Sequence, residues 1–123
     1  KVRDMGCFDN DISLARLYSA ADVFVLLSIN ESLGYTVMEA MACGTPCVAF
    51  NQGGVPDLID HQQNGYLATP FLPTDFAQGI AWVLENEARW NMLSCNARER
   101  IECFFTLEKV VEQHIALYHE IGL

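Results

Sequence analysis

Two short, wholly apolar runs bracket a helical stretch in the first half of this chain, and that alternation restricts the fold more than any other feature. Residues 23–27 are apolar throughout, as a strand covered on both faces should be. Residues 46–50 read as the next buried strand. Between them a loop at 28–33 leads to a helix over 34–43, with Gly44 placed to end it. Short apolar strands alternating with helices point to an α/β domain built on a parallel sheet.

The flanking segments extend the pattern. Residues 1–6 read as a short strand, and residues 11–21 as a helix with Ile12, Leu14, Ala15, Leu17 and Tyr18 on its apolar face. Gly53, Gly54, Val55 and Pro56 form a tight turn, with Pro56 suited to the first position of a short helix. Asn64-Gly65 turns the chain into a last strand at 66–68. Beyond it the sequence is helical. Thr74 or Asp75 is placed to cap a helix striped by Phe76, Ile80, Val83 and Leu84. Trp90, Leu93, Ala97 and Ile101 stripe a second helix. Thr106 caps a third, with Leu107, Val110, Val111, His114, Tyr118 and Ile121 on one face. Core packing is the expected use of that face, as it is for Trp82, Trp90, Phe104 and Phe105, whose helical spacing argues against a sugar-stacking platform. The expectation is four strands and six helices, in a chain that opens partway through a larger fold.

Composition narrows the function. With 51% hydrophobic and 19% charged residues, the chain can bury a core and is not disordered, and its 123 residues suffice for one domain. No apolar run reaches membrane-spanning length, and the opening Lys1-Val-Arg-Asp, with no apolar stretch behind it, is not expected to be a signal peptide. Seven basic residues against 16 acidic ones give a net charge of −9, so no basic stripe exists to track a nucleic-acid backbone. A phosphorylated small ligand stays compatible with that charge, because backbone N–H groups at a helix start hold phosphate without lysine. The five cysteines, an odd number with no CxxC pair, point to free thiols in a reducing cytoplasm. Cys43 and Cys47 read as packing residues. His114 and His119 are too far around a helix to form a zinc pair. Asp9-Asn10-Asp11 resembles a metal-binding Asp-x-Asp, but its place before a helix favours capping by aspartate, and no metal is expected.

The chemistry-bearing stretch runs from Ser28 to Pro46. Glu31 falls in the loop at the carboxyl end of the first buried strand, and Glu39 about a turn and a half into the following helix. Ligands of open α/β sheets sit outside the carboxyl ends of the strands, so both carboxylates can face one crevice. The Gly34, Tyr35 and Thr36 N–H groups begin the helix as unpaired donors at its positive end. An ionised carboxylate accepts from both hydroxyls of a ribose. Together these form a nucleotide clamp. The same spacing also fits an ordinary loop glutamate and a solvated helix glutamate.

The ordered motifs Ser28-x-x-Glu31-x-x-Gly34, Glu39-Ala-Met-Ala-x-Gly44-x-Pro46, Gly53-Gly54-Val55-Pro56-Asp57 and Asn64-Gly65 resemble the signature of retaining family 4 (group 1) glycosyltransferases. The helix and strand before the signature, Arg98, Phe105-Thr106 and the terminal helix ending in Tyr118 extend the likeness along the whole chain. It implies a Rossmann-like parallel sheet flanked by helices, the latter part of the C-terminal domain of a GT-B glycosyltransferase, with residues 1–123 as a partial nucleotide-sugar-binding domain. It implies Glu31 beside the transferred carbon, Glu39 on the ribose, and Leu33, Gly34, Tyr35 and Thr36 at the diphosphate and sugar. Gly53 and Gly54 would approach the same cleft. Leu27 and Leu33 stand where the family often has proline and phenylalanine. The implied partners are a nucleotide-diphosphate-sugar donor, with no cofactor or metal, and an acceptor domain absent from these residues. The chain alone is then inactive, and its last helix is free to self-associate. A receiver domain and a non-catalytic interaction module are the competing readings of an acidic α/β chain of this length.

Overall fold

In the computed structural model, which describes residues 1–123, the elements run α1 (Asp11–Ala20), β1 (Phe24–Leu26), α2 (Tyr35–Ala42), β2 (Cys47–Phe50), α3 (Val55–Leu58), β3 (Gly65–Ala68), α4 (Pro73–Leu84), α5 (Glu87–Phe104) and α6 (Leu107–Glu120). The strands pair in parallel in the order β1-β2-β3, with Phe24 opposite Cys47 and Cys47 opposite Gly65. There are three strands rather than four, because residues 1–6 are exposed coil with no sheet partner.

The period of two in β2 divides the core. Cys47 and Ala49 point to one face, where they join Val37, Ala40 and Met41 of α2, Val55 and Leu58 of α3, and Ala97 and Ile101 of α5. Val48 and Phe50 point to the other, against Tyr66, Ala68, Phe76, Val83 and Leu93. Helices therefore cover both faces of β2, and all four of its residues are buried. Burial pushes the Cys47 thiol well above its ordinary range, so it is an inert packing group. Gly44 ends α2 with φ +76°, and the α5 side chain Ser94 donates to its carbonyl at 2.6 Å.

Four local expectations change. Strand β1 is not covered on both faces: it is the sheet edge, bonded to β2 alone, and Val25 and Leu27 are exposed. Neither Thr74 nor Asp75 caps α4. Pro73 takes the first helical position, Leu72 the cap, and the Asp75 carboxylate instead accepts from the Thr69 N–H at 2.6 Å and the Tyr66 hydroxyl at 2.7 Å. Those bonds hold the Asp75 carboxyl below its ordinary range and push the Tyr66 phenol up. At α1 the cap is Asn10, accepting from the Ser13 N–H, rather than either flanking aspartate. Helix α6, capped by Thr106 as its sequence indicates, buries none of its residues, so the apolar stripe from Leu107 to Ile121 is not core. Its period fits a packed face, but within this chain it packs chiefly against α5 and stays unburied.

The aromatic residues mostly follow expectation. Trp82 and Trp90 pack against the second core cluster, with the Trp90 indole donating to the Asp22 carbonyl. Phe105 packs against the first cluster, whereas Phe104 is exposed beneath the Arg100 guanidinium. No helix is long and apolar enough to cross a membrane.

Candidate active site

Parallel strands bring the loops that follow β1 and β2 out at the same edge of the sheet. The Gln52 side-chain amide donates to the Ser28 carbonyl at 2.5 Å, tying the two loops together. Gly53 and Gly54 then let them meet backbone to backbone. A Cβ on Gly53 would lie 1.7 Å from the Glu31 carbonyl oxygen, and one on Gly54 would lie 2.3 Å from the Ser32 carbonyl oxygen. Gly53 also holds φ +58°, open to glycine at least cost. The two glycines thus set the path of the loop carrying Glu31, Ser32 and Leu33.

That loop delivers the chain to Gly34, the N-cap of α2, at φ +85°. A Cβ there would touch Val55 at 3.4 Å and the Glu31 side chain at 3.6 Å. Whereas asparagine caps α1 and α5 and threonine caps α6, no side chain caps α2. Its first N–H groups lie at the positive end of the helix dipole, with Tyr35 and Thr36 exposed beside them.

Glu31 is half-buried ahead of this helix start. Glu39 lies five residues beyond Gly34, a rise of about 7.5 Å along the axis. It is exposed at the mouth of a groove between α1 and α2, of about 200 Å³, lined also by Leu14, Ala15, Tyr18 and Cys43. Glu31 does not line that groove. The single crevice expected for both acids is absent as a cavity of these residues; Glu31 lies against Gly34 at the α2 start, whereas Glu39 faces the groove between α1 and α2.

The sequence reading missed Tyr18 and Gln52. The Tyr18 hydroxyl donates to Glu39 Oε2 at 2.9 Å, and the Tyr18 carbonyl accepts from the Thr45 hydroxyl at 2.7 Å. Burial, with the Glu39 carboxylate beside it, pushes the phenol up to about 12. Leu17-Tyr18 reads as part of an apolar helix face, and a partner 21 residues away leaves no local signal. No three His, Cys, Asp or Glu side chains cluster to hold a metal ion.

The model of the family "Glycosyl transferases group 1" matches residues 4–100, and the chain belongs to that family. It is 35% identical over 121 residues to N-acetyl-alpha-D-glucosaminyl L-malate synthase of Bacillus anthracis, covering 98% of this chain and 31% of that one. Its fold superposes on sucrose-phosphate synthase from Thermosynechococcus elongatus with a TM-score of 0.80 at 36% identity, over 89% of this chain and 27% of the other. Anabaena HepE, solved in complex with UDP, gives 0.79 at 28% identity, over 85% and 29%. The architecture is that of the GT-B glycosyltransferases, and the receiver-domain alternative falls with it. The chain spans less than a third of the relatives it matches here.

Proposed function

We propose that the chain is the donor-binding part of a retaining, metal-independent glycosyltransferase, which transfers a sugar from a nucleotide diphosphate to an acceptor hydroxyl. The observation that carries this reading is the start of α2, free of a side-chain cap, with Glu31 before it, Glu39 in its second turn and the Gly53-Gly54 turn locked against the loop that leads to it. The N–H groups of the first turn, which no side chain caps, receive the diphosphate. Glu39, at the groove mouth, accepts from the ribose hydroxyls. Glu31 stands on the side where the sugar projects, and its charge steadies the positive character that develops at the transferred carbon. Leu33 and Tyr35 wall the sugar position, and Thr36 lies beside the phosphates. That HepE was solved with UDP and with UDP-glucose supports a nucleotide-sugar ligand.

These 123 residues correspond to less than a third of the relatives' length, which supports reading them as a part that turns over no sugar by itself. The exposed α6 stripe is then the surface for an acceptor domain. The five free thiols support a reducing, cytoplasmic setting for the protein.

The test is calorimetric titration of the native-length protein with UDP, GDP and ADP. Glu39→Ala should weaken the tightest of them by roughly tenfold or more, the scale of one charged hydrogen bond. Unchanged affinity defeats the assignment.

A further inference from the structure

We propose that Tyr18 is a positioning residue for donor binding: its hydroxyl holds one oxygen of Glu39 so that the other is presented to the ribose. This rests on the ribose reading of Glu39 and adds to it a residue on a different helix.

Glu39 projects from a helix surface, where an unrestrained glutamate samples many rotamers. Ordering it at the moment of binding costs side-chain entropy. Here Oε2 already accepts from the Tyr18 hydroxyl at 2.9 Å, and no protein group donates to Oε1. A carboxylate accepts on both oxygens, so one is committed to the protein and one is free for a ligand.

Tyr18 is itself fixed. Its ring is buried and meets Phe24 edge-on, with centroids 5.6 Å apart. Its carbonyl accepts from the buried Thr45 hydroxyl, which lies between α2 and β2. The start of β1 holds the Tyr18 ring and the α2–β2 connection holds its backbone, so the phenol has a fixed base. That phenol stays protonated throughout the physiological range, so it is a permanent donor toward Glu39. Tyr18 and Glu39 both line the same groove, so their bond lies beside the space a nucleoside would enter.

The experiment uses the native-length protein and whichever of UDP, GDP and ADP it binds most tightly, together with the 2′,3′-dideoxy analogue of that nucleotide. Tyr18→Phe keeps the ring and removes only the donor. It should raise the dissociation constant of the ordinary nucleotide roughly three- to tenfold and that of the dideoxy analogue little. It should raise the donor KM more than it lowers kcat. In a Glu39→Ala background, the same change should have no further effect on nucleotide affinity. Equal weakening of both nucleotides, or the same loss with and without Glu39, makes Tyr18 a merely structural residue and overturns the proposal. If Glu39→Ala weakens the nucleotide while Tyr18→Phe does not, the ribose reading stands and only the role of Tyr18 fails. If Glu39→Ala changes nothing, the ribose reading itself fails.

Discussion

Replacing Gly54 by alanine isolates the contact on which the site geometry depends. Gly54 has φ −84° and ψ −3°, a conformation alanine adopts freely, so no backbone strain accompanies the change. The added Cβ would lie 2.3 Å from the Ser32 carbonyl oxygen, about 1.1 Å inside an ordinary 3.4 Å contact, and 2.8 Å from the Leu33 Cα. Both obstacles are main chain and cannot rotate away, so the loop at 31–33 must move by about an ångström. Overpacking of this kind costs about 1–3 kcal/mol, against a gain of about 0.4–1 kcal/mol from the stiffer unfolded chain. The expected net loss is about 1–2 kcal/mol, or roughly 4–8 °C in Tm for a domain of this size. A displacement of about 1 Å at a reacting group can cost about a hundredfold in rate, so kcat/KM should fall on that scale in the native-length enzyme. Urea unfolding and steady-state kinetics measure the two effects independently. A Gly54→Ala protein that is more stable than the parent and binds donor normally would show that the loops do not touch as described.

Three further outcomes follow from the same geometry. Glu31→Ala should lower kcat more than it weakens nucleotide binding, because its proposed contact strengthens toward the transition state; equal losses in titration and turnover would contradict that role. The Tyr18 phenol, pushed up to about 12 in the folded chain, ionises near 10 once unfolded, so its contribution is intact below pH 10 and lost as pH rises toward 12. The ring is buried but its bond to Glu39 is only part-buried, so the difference between parent and Tyr18→Phe across that window should be about 1–2 kcal/mol by urea unfolding, and parallel curves would refute it. The 123-residue chain exposes Leu107, Val111, Ile115, Tyr118 and Ile121 along α6, and sedimentation should detect self-association as concentration rises; a monomer at every concentration would count against it.

Much of the architecture was legible because it is encoded over short distances. The all-apolar run at 47–50 marks a strand covered on both faces, and β2 is one. Gly44 and Thr106 announce the end of one helix and the start of another, since each acts on backbone groups within a few residues. The motif order from Ser28 to Pro56 pointed to the family, and the match over residues 4–100 agrees.

Other features depended on which segments the folded sheet brings together. Residues 23–27 look as buried as 47–50, yet β1 is an edge, because apolarity encodes a preference for cover without specifying whether cover is supplied. The same holds for α6, whose periodic stripe is left unburied here. Asp75 has the right chemistry for a cap, but the Tyr66 hydroxyl and Thr69 amide lie within its reach once β3 packs on α4.

The chain's own letters determined that a strand, a glycine-led helix start and two acids would follow one another in order, since those are matters of local spacing. Only tertiary packing decided that Gly53 and Gly54 press on the loop holding Glu31, and that Tyr18 reaches Glu39 from another helix. The reason is physical: hydrogen bonds and steric contacts act over a few ångströms, and parallel strand pairing is what brings residues distant in sequence within that range.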